Sequence, residues 1–241
     1  MLFQMCYGPE LESIYEVVRR SPDCTLDDLQ MKFQYAEEGD IRSLIEGAVT
    51  VLTDLGLVYD REGKFCSQGD AWDVIDVLLR LRRVGNESEE ATFDHVFSHM
   101  YYELFVKSNT MFIKNLHHQT NQRFPDTLVG KEKVNAWKRM MEFFGVGHRV
   151  YSGFYALPQL RLMERFIERS GEWSGPLHQY CQEQIHPVLP CVHNGDVFRG
   201  VIYGLSFLDK QGVIRLTRKQ DLPYSSYGPQ HQWNWIEVGE G

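Results

Sequence analysis

VLTDLGLVYDREGKF, residues 51–65, begins as the end of an apolar helix, stops at Leu55 and Gly56, and continues as strand, charged turn and strand. Glycine closes a helix well because it takes the left-handed conformation without a Cβ penalty. A glycine-containing turn between two short apolar or aromatic runs reads as a hairpin. LSFLDKQGVIRLTRK, residues 205–219, follows the same outline, with Gly212 at the helix end. MMEFFGVGHRVYSG, residues 140–153, puts Gly145 in the same place. Three stretches therefore share one pattern, and their surroundings define the unit each belongs to.

Before the first stretch, Leu11, Ile14, Tyr15 and Val18 fall at the spacing of one helix face. Thr25 and Asp28 are spaced as a capping box for a second helix. Asp40 is placed to cap a third, with Ile41, Leu44, Ile45, Ala48, Leu52 and Leu55 along its apolar side. The order over about residues 10–68, helix, helix, longer helix and hairpin, resembles a winged helix-turn-helix domain. In DNA-binding proteins of that superfamily the third helix enters the major groove.

The last segment repeats the outline. Leu157, Leu160, Met163 or Glu164, and Ile167 predict a helix ending near Gly171, and Ser174 is placed to cap the next one. Val197, Val201, Leu205 and Leu208 line a third helix, and Ile214 and Leu216 alternate as in a strand. DLPYSSYGP then reads as a wing loop and WNWIEV as a returning strand. Between the two lie four helical stretches. One carries Phe93, Val96, Phe97, Met100, Tyr101 and Leu104, and another Val134, Trp137, Met141 and Phe144. The expected fold is mainly α with short β wings: tandem winged-helix-like domains over 1–70 and 151–241, joined by a helical middle region over 71–150. From about residue 92 the middle reads either as a further winged-helix-like unit or as a helical linker.

The 241-residue chain is 43% hydrophobic and has no apolar run near the roughly 20 residues that span a membrane. Its start, MLFQMCYGPELE, lacks the basic, apolar pattern of a signal peptide. Five widely spaced cysteines without a CxxC fit a reducing cytoplasm. The net charge is −8, and residues 1–70 hold 6 basic against 14 acidic residues. Residues 71–150 hold 11 against 10, and residues 151–241 hold 8 against 9. An acidic third helix is repelled by the charge of a duplex, so Glu37, Glu38, Asp40 and Glu46 point to protein binding. The nucleic-acid candidates are Lys131, Lys133, Lys138, Arg139 and Arg149 in the middle, and Arg199, Lys210, Arg215, Arg218 and Lys219 near the end. Lys131, Lys138 and Arg139 are spaced to share the face opposite the apolar stripe, and Tyr203, Tyr224 and Tyr227 lie near the later group.

Catalytic patterns are weak. His95, His99 and Glu103 form a row at helical spacing, which reads as a solvated face. Cys181, His186, Cys191 and His193 have types that suit zinc but not the spacing of a zinc finger. His117 and His118 stand together at a helix end where a cation is favoured, and read as a cap or as phosphate contacts. Phosphate-loop, dinucleotide and nucleophile-elbow motifs are absent from the sequence. The expectation is a non-catalytic adaptor or accessory subunit without cofactor, metal or small-molecule substrate. Its partners would be other protein subunits and DNA or RNA. In architecture the chain also resembles winged-helix accessory proteins of prokaryotic antiviral-defence or DNA-modification systems. Two other readings stay open, a sequence-specific transcription regulator and a Cys/His- or zinc-dependent enzyme.

Overall fold

The computed structural model describes residues 2–4, 6, 8–35, 39–67, 69–220 and 225–239. The protein is mainly helical, with ten α-helices and small antiparallel sheets of two or three strands among the described residues. None of those helices is long and apolar enough to cross a membrane. The chain divides into two compact units: Met1–Ser98 with Phe124–Phe143, and His99–Arg123 with Phe144–Gly241. The segment read from sequence as the middle, 71–150, is shared between them.

In the first unit, α1 (Pro9–Arg20) buries Leu11, Ile14, Tyr15 and Val18. β1 (Cys24–Thr25) leads into α2 (Leu26–Phe33), where Thr25 and Asp28 close the capping box. The Asp28 amide donates to Thr25 Oγ1 at 3.2 Å, and the Thr25 amide donates to Asp28 Oδ2 at 2.8 Å. Asp40 Oδ1 accepts from the Arg42 amide at 2.8 Å and starts α3 (Arg42–Asp54). Gly56, at φ 67°, ends it. Its amide reaches Thr53 O at 2.8 Å and the Leu57 amide reaches Leu52 O at 2.9 Å, which is a Schellman closure. β2 (Tyr59–Arg61) and β3 (Lys64–Cys66) form the hairpin. In α4 (Val74–Glu87), Arg80 Nη1 donates to the Gly56 carbonyl at 2.7 Å, supplying a cation at the end of α3.

The chain then runs through α5 (Phe93–Tyr101), β4 (Phe112–Ile113), α6 (Leu116–Arg123), α7 (Lys131–Phe143), β5 (His148–Val150) and β6 (Gly153–Tyr155). α7 and the residues of α5 up to Ser98 belong to the first unit, where Trp137 Nε1 donates to Phe97 O at 2.9 Å. In the second unit the helix begun by α5 continues as a π-helical turn, Tyr102–Val106. There the Phe105 ring meets that of Phe154 at 5.7 Å.

The remainder of the second unit is α8 (Leu160–Ser170), β7 (Trp173–Pro176), α9 (Leu177–Tyr180) with a π-helical turn Cys181–Ile185, and a small hairpin, β8 (Val192–His193) and β9 (Asp196–Val197). α10 (Arg199–Lys210), β10 (Arg215–Thr217) and β11 (Trp235–Val238) complete it. α8 buries Leu162, Met163, Phe166 and Ile167, so its apolar stripe is offset from the predicted one that included Leu157 and Leu160. Ser174 does not cap a helix. It lies in β7 opposite Glu237, because the extended chain there completes a sheet.

One connectivity occurs three times: helix, strand, helix, helix, hairpin, with the last strand in the centre of its sheet. The orders are β1–β3–β2, β4–β6–β5 and β7–β11–β10. The register is also common to all three. Phe65 faces Cys24 and Asp60, Phe154 faces Ile113 and Arg149, and Ile236 faces Gly175 and Leu216. These central residues are 8%, 0% and 0% exposed. The three helices before the hairpins end at Gly56, Gly145 and Gly212, all with φ between 67° and 79°. Truncating a fully buried isoleucine costs about 2–5 kcal/mol. Ile236→Ala is therefore expected to lower stability by about that amount, read as a fall in the urea midpoint.

Candidate nucleic-acid interface

Charge separates along the unit boundary. The first unit carries 13 basic and 23 acidic residues, a balance of −10, and the second carries 12 and 10, a balance of +2. The helices that precede the hairpins do not simply follow that split: α3 carries one basic and two acidic residues, α7 four and two, and α10 two and one.

On α3, Arg42 is drawn into an acidic network. Its Nη1 lies 2.8 Å from Asp27 and its Nε 3.2 Å from Glu46. Asp40 is spent on the helix start, and Glu37 and Glu38 lie outside the described residues. α7 is buried over a wide arc by Val134, Ala136, Trp137, Met140 and Met141. Lys138 belongs to that arc and is 5% exposed, which corrects its assignment to a solvated face. Its neighbour Trp137 is fully buried, and the burial spreads beyond the predicted stripe. Lys133 Nζ lies 3.7 Å from the centre of the Phe93 ring, Arg139 is half-buried, and Lys131 is exposed. Arg149, on β5 in the second unit, is exposed.

α10 keeps its solvent side open. Arg199, Phe207 and Lys210 are exposed and Tyr203 is half-buried, at spacings that place them along one stripe. The acidic residue of this helix, Asp209, turns to the backbone, accepting from the Leu216 amide at 2.8 Å. Arg215, Arg218 and Lys219 are exposed on and just after β10. Glu237 moderates two of them: it stands opposite Arg215 in the ladder and 3.9 Å from Lys219 Nζ. Lys219 also rests 3.5 Å above the Trp235 ring. Of the sequence-picked basic residues, α10, β10 and the residues just after it bring five into the second unit, where Arg149 also lies, whereas on α7 Lys138 is buried, Lys133 and Arg139 are half-buried and Lys131 is exposed.

The Cys/His group organises a loop. His186 Nδ1 accepts from the Cys191 and Val192 amides at 3.1 and 3.0 Å, while Cys191 Sγ donates to Cys181 O at 3.6 Å. His193 Nδ1 turns away to the Tyr102 hydroxyl at 2.9 Å. Burial pushes the Cys181 thiol up, the opposite of an activated nucleophile. Among the described residues no three metal-ligating side chains come together. His95 packs edge-on against Phe124, and Glu103 is held by Lys107 and Arg123 instead of joining a metal row. His117 and His118 open α6, so they stand at the end of the helix that disfavours a cation, contrary to expectation. Trp173 packs edge-on against Tyr180 at 5.6 Å. Trp233 pairs with Tyr227 through a backbone bridge.

Two grooves lie within the second unit. One, of about 640 Å³, is bordered by Glu103, Thr110, Lys114, Asn115, Gln119 and Arg123. The other, of about 320 Å³, lies at the start of α10 and includes Asp196, Tyr227 and His231, which charge counting did not single out as a group. No protein-family model, curated protein or solved structure matches the chain.

Burial alone would raise the Glu103 pKa, but the hydrogen bonds and charges of Lys107 and Arg123 hold the carboxyl below its ordinary range. The contribution is therefore complete above the unfolded value, about pH 4.3, and is lost as pH falls through the lower folded value. Glu103→Gln is expected to cost about 1–3 kcal/mol at pH 7 and to flatten the acid limb, measured by urea midpoints from neutral pH down to about pH 3.

Proposed function

We propose that this chain is a non-catalytic adaptor or accessory subunit built from winged-helix copies. Its C-terminal copy contacts nucleic acid through α10 and the adjoining strand, and its acidic N-terminal copy docks on protein. The observation that carries this reading is the contrast between three helices at the same place in a shared connectivity. α3 presents Glu46 with a neutralised Arg42, α7 buries Lys138 and leaves Lys131 exposed at its start, and α10 presents Arg199, Tyr203, Phe207 and Lys210. Basic residues among aromatics suit phosphate contact combined with stacking. A helix-plus-wing placement of those groups matches the way winged helices meet a duplex.

Because Glu237 offsets Arg215 and Lys219, the residues left for phosphates are Arg199, Lys210 and Arg218. Three neutralised phosphates give a slope of about −2.7 in log affinity against log salt. Anisotropy titration of a labelled duplex between about 50 and 200 mM salt measures it directly. The variant carrying Arg199→Ala and Lys210→Ala should bind more weakly and lose about two units of slope, while Lys131→Ala should bind as the parent chain does. Absence of binding to duplex and single strand alike, even at the lowest salt, overturns the nucleic-acid part. Co-purification of a stable heteromeric complex from the native source supports the docking part, and a chain that works alone as a DNA-binding homodimer overturns it.

A further inference from the structure

The smaller groove of the second unit has a definite chemical character. Asn109, Asp196, Arg199, Tyr203, Tyr227 and His231 converge on about 320 Å³. That is the small end of ligand sites, roughly 300–1,000 Å³, with room for a single nucleotide and none for a duplex. Arg199 is braced at its base, where its amide and Nε reach Asn109 Oδ1 at 2.9 and 3.4 Å. Its terminal guanidinium nitrogens have no partner among the described residues, which leaves a fork suited to phosphate oxygens. Asp196 is exposed and makes no ion pair among the described residues. A carboxylate beside an arginine disfavours a second phosphate and accepts hydrogen bonds only. The pair therefore fits a ligand with one anionic end and one hydrogen-donating edge.

The part of the lining from Tyr227 to His231 is fixed in place. The Tyr227 amide and carbonyl both pair with Trp233, at 2.7 and 3.1 Å, and its hydroxyl lies 2.7 Å from His178 Nδ1. Gly228 has φ 79°, and a Cβ there would come within 2.1 Å of the Trp233 ring. Gln230 and His231 both hold left-handed backbone, at φ 56° and 53°, a costly arrangement for two successive residues with side chains. His231 Nδ1 donates to the Ser226 carbonyl at 2.9 Å, which sets the ring's orientation and leaves Nε2 for another partner.

We infer that this groove takes one unpaired nucleotide with an amino-bearing base: Arg199 meets the phosphate, Tyr203 stacks on the base, and Asp196 accepts the amino hydrogens. The inference rests on the nucleic-acid reading above and narrows it to a single-stranded or unstacked position. Cytosine, adenine and guanine each offer an amino group, whereas thymine offers only its N3–H flanked by two carbonyl oxygens that repel a carboxylate, so the groove discriminates against thymine.

The test uses the full chain with labelled ten-nucleotide dC and dT strands at about 50 mM salt. The dC strand is expected to bind tighter by about fivefold or more. Asp196→Ala should erase that difference without weakening dT binding. Tyr203→Leu should weaken both strands by roughly five- to 150-fold. Both positions lie at the surface of the groove, and unchanged thermal melts will show that the variants are folded. Equal affinity for the two strands, or a dC preference that survives Asp196→Ala, overturns the proposal. Salt-dependent duplex binding without a dC preference overturns the groove alone and leaves the interface standing. Failure of duplex and single strands alike overturns both.

Discussion

Each three-stranded sheet depends on one central residue. Strands of two to four residues have little stability of their own, and the outer strands here are of that length. They are held because the middle strand pairs on both sides while its central side chain is buried. Phe65, Phe154 and Ile236 fill that role. The hairpin supplies one neighbour, and the strand between the first and second helices supplies the other. Removing the central side chain would leave both ladders without their apolar anchor. The glycine at the end of the preceding helix turns the chain into the hairpin and so delivers that residue to its place.

With the scaffold fixed by so few residues, the outer faces are free to diverge, and their charges do so. The same helix position carries an acid-bound arginine in α3, a buried lysine in α7 and an open basic-aromatic stripe in α10. Burial explains the middle case: a helix flanked on several sides buries more than the arc that a simple apolar stripe marks. The charge difference between the two units lies outside these helices, since α7, in the acidic unit, is the most basic of the three.

Much of the fold was legible because helices and hairpins leave patterns. Leu11 to Val18, the Thr25–Asp28 box and the three terminal glycines all read directly. The first strand of each copy did not. Cys24–Thr25 and Phe112–Ile113 are two residues long, and Trp173–Pro176 four, too short to show an alternation. They become strands because a partner is waiting in sequence 39 or more residues later, as from Thr25 to Lys64, information that no local window holds. For the same reason Ser174 looked like a cap. In the candidate site, Arg199 and Lys210 could be found by charge alone. Lys138 could not be excluded, since its burial depends on packing around Trp137. Asp196 and His231 carried no mark in the sequence, and they meet Tyr203 and Tyr227 only in the folded second unit; Tyr224 lies outside the described residues.

The bond from Arg80 to the Gly56 carbonyl bears on how separable the first copy is. The Tyr15 hydroxyl adds a second tie, to the Asp70 carbonyl, and Glu16 adds a third, to the Trp72 amide. The copy's helices are thus finished by residues that lie beyond its own hairpin. It is not a cassette that ends where its repeating pattern ends. A boundary drawn at the last strand would cut through its fastenings, so the structural domain is longer than the repeat that gave it shape.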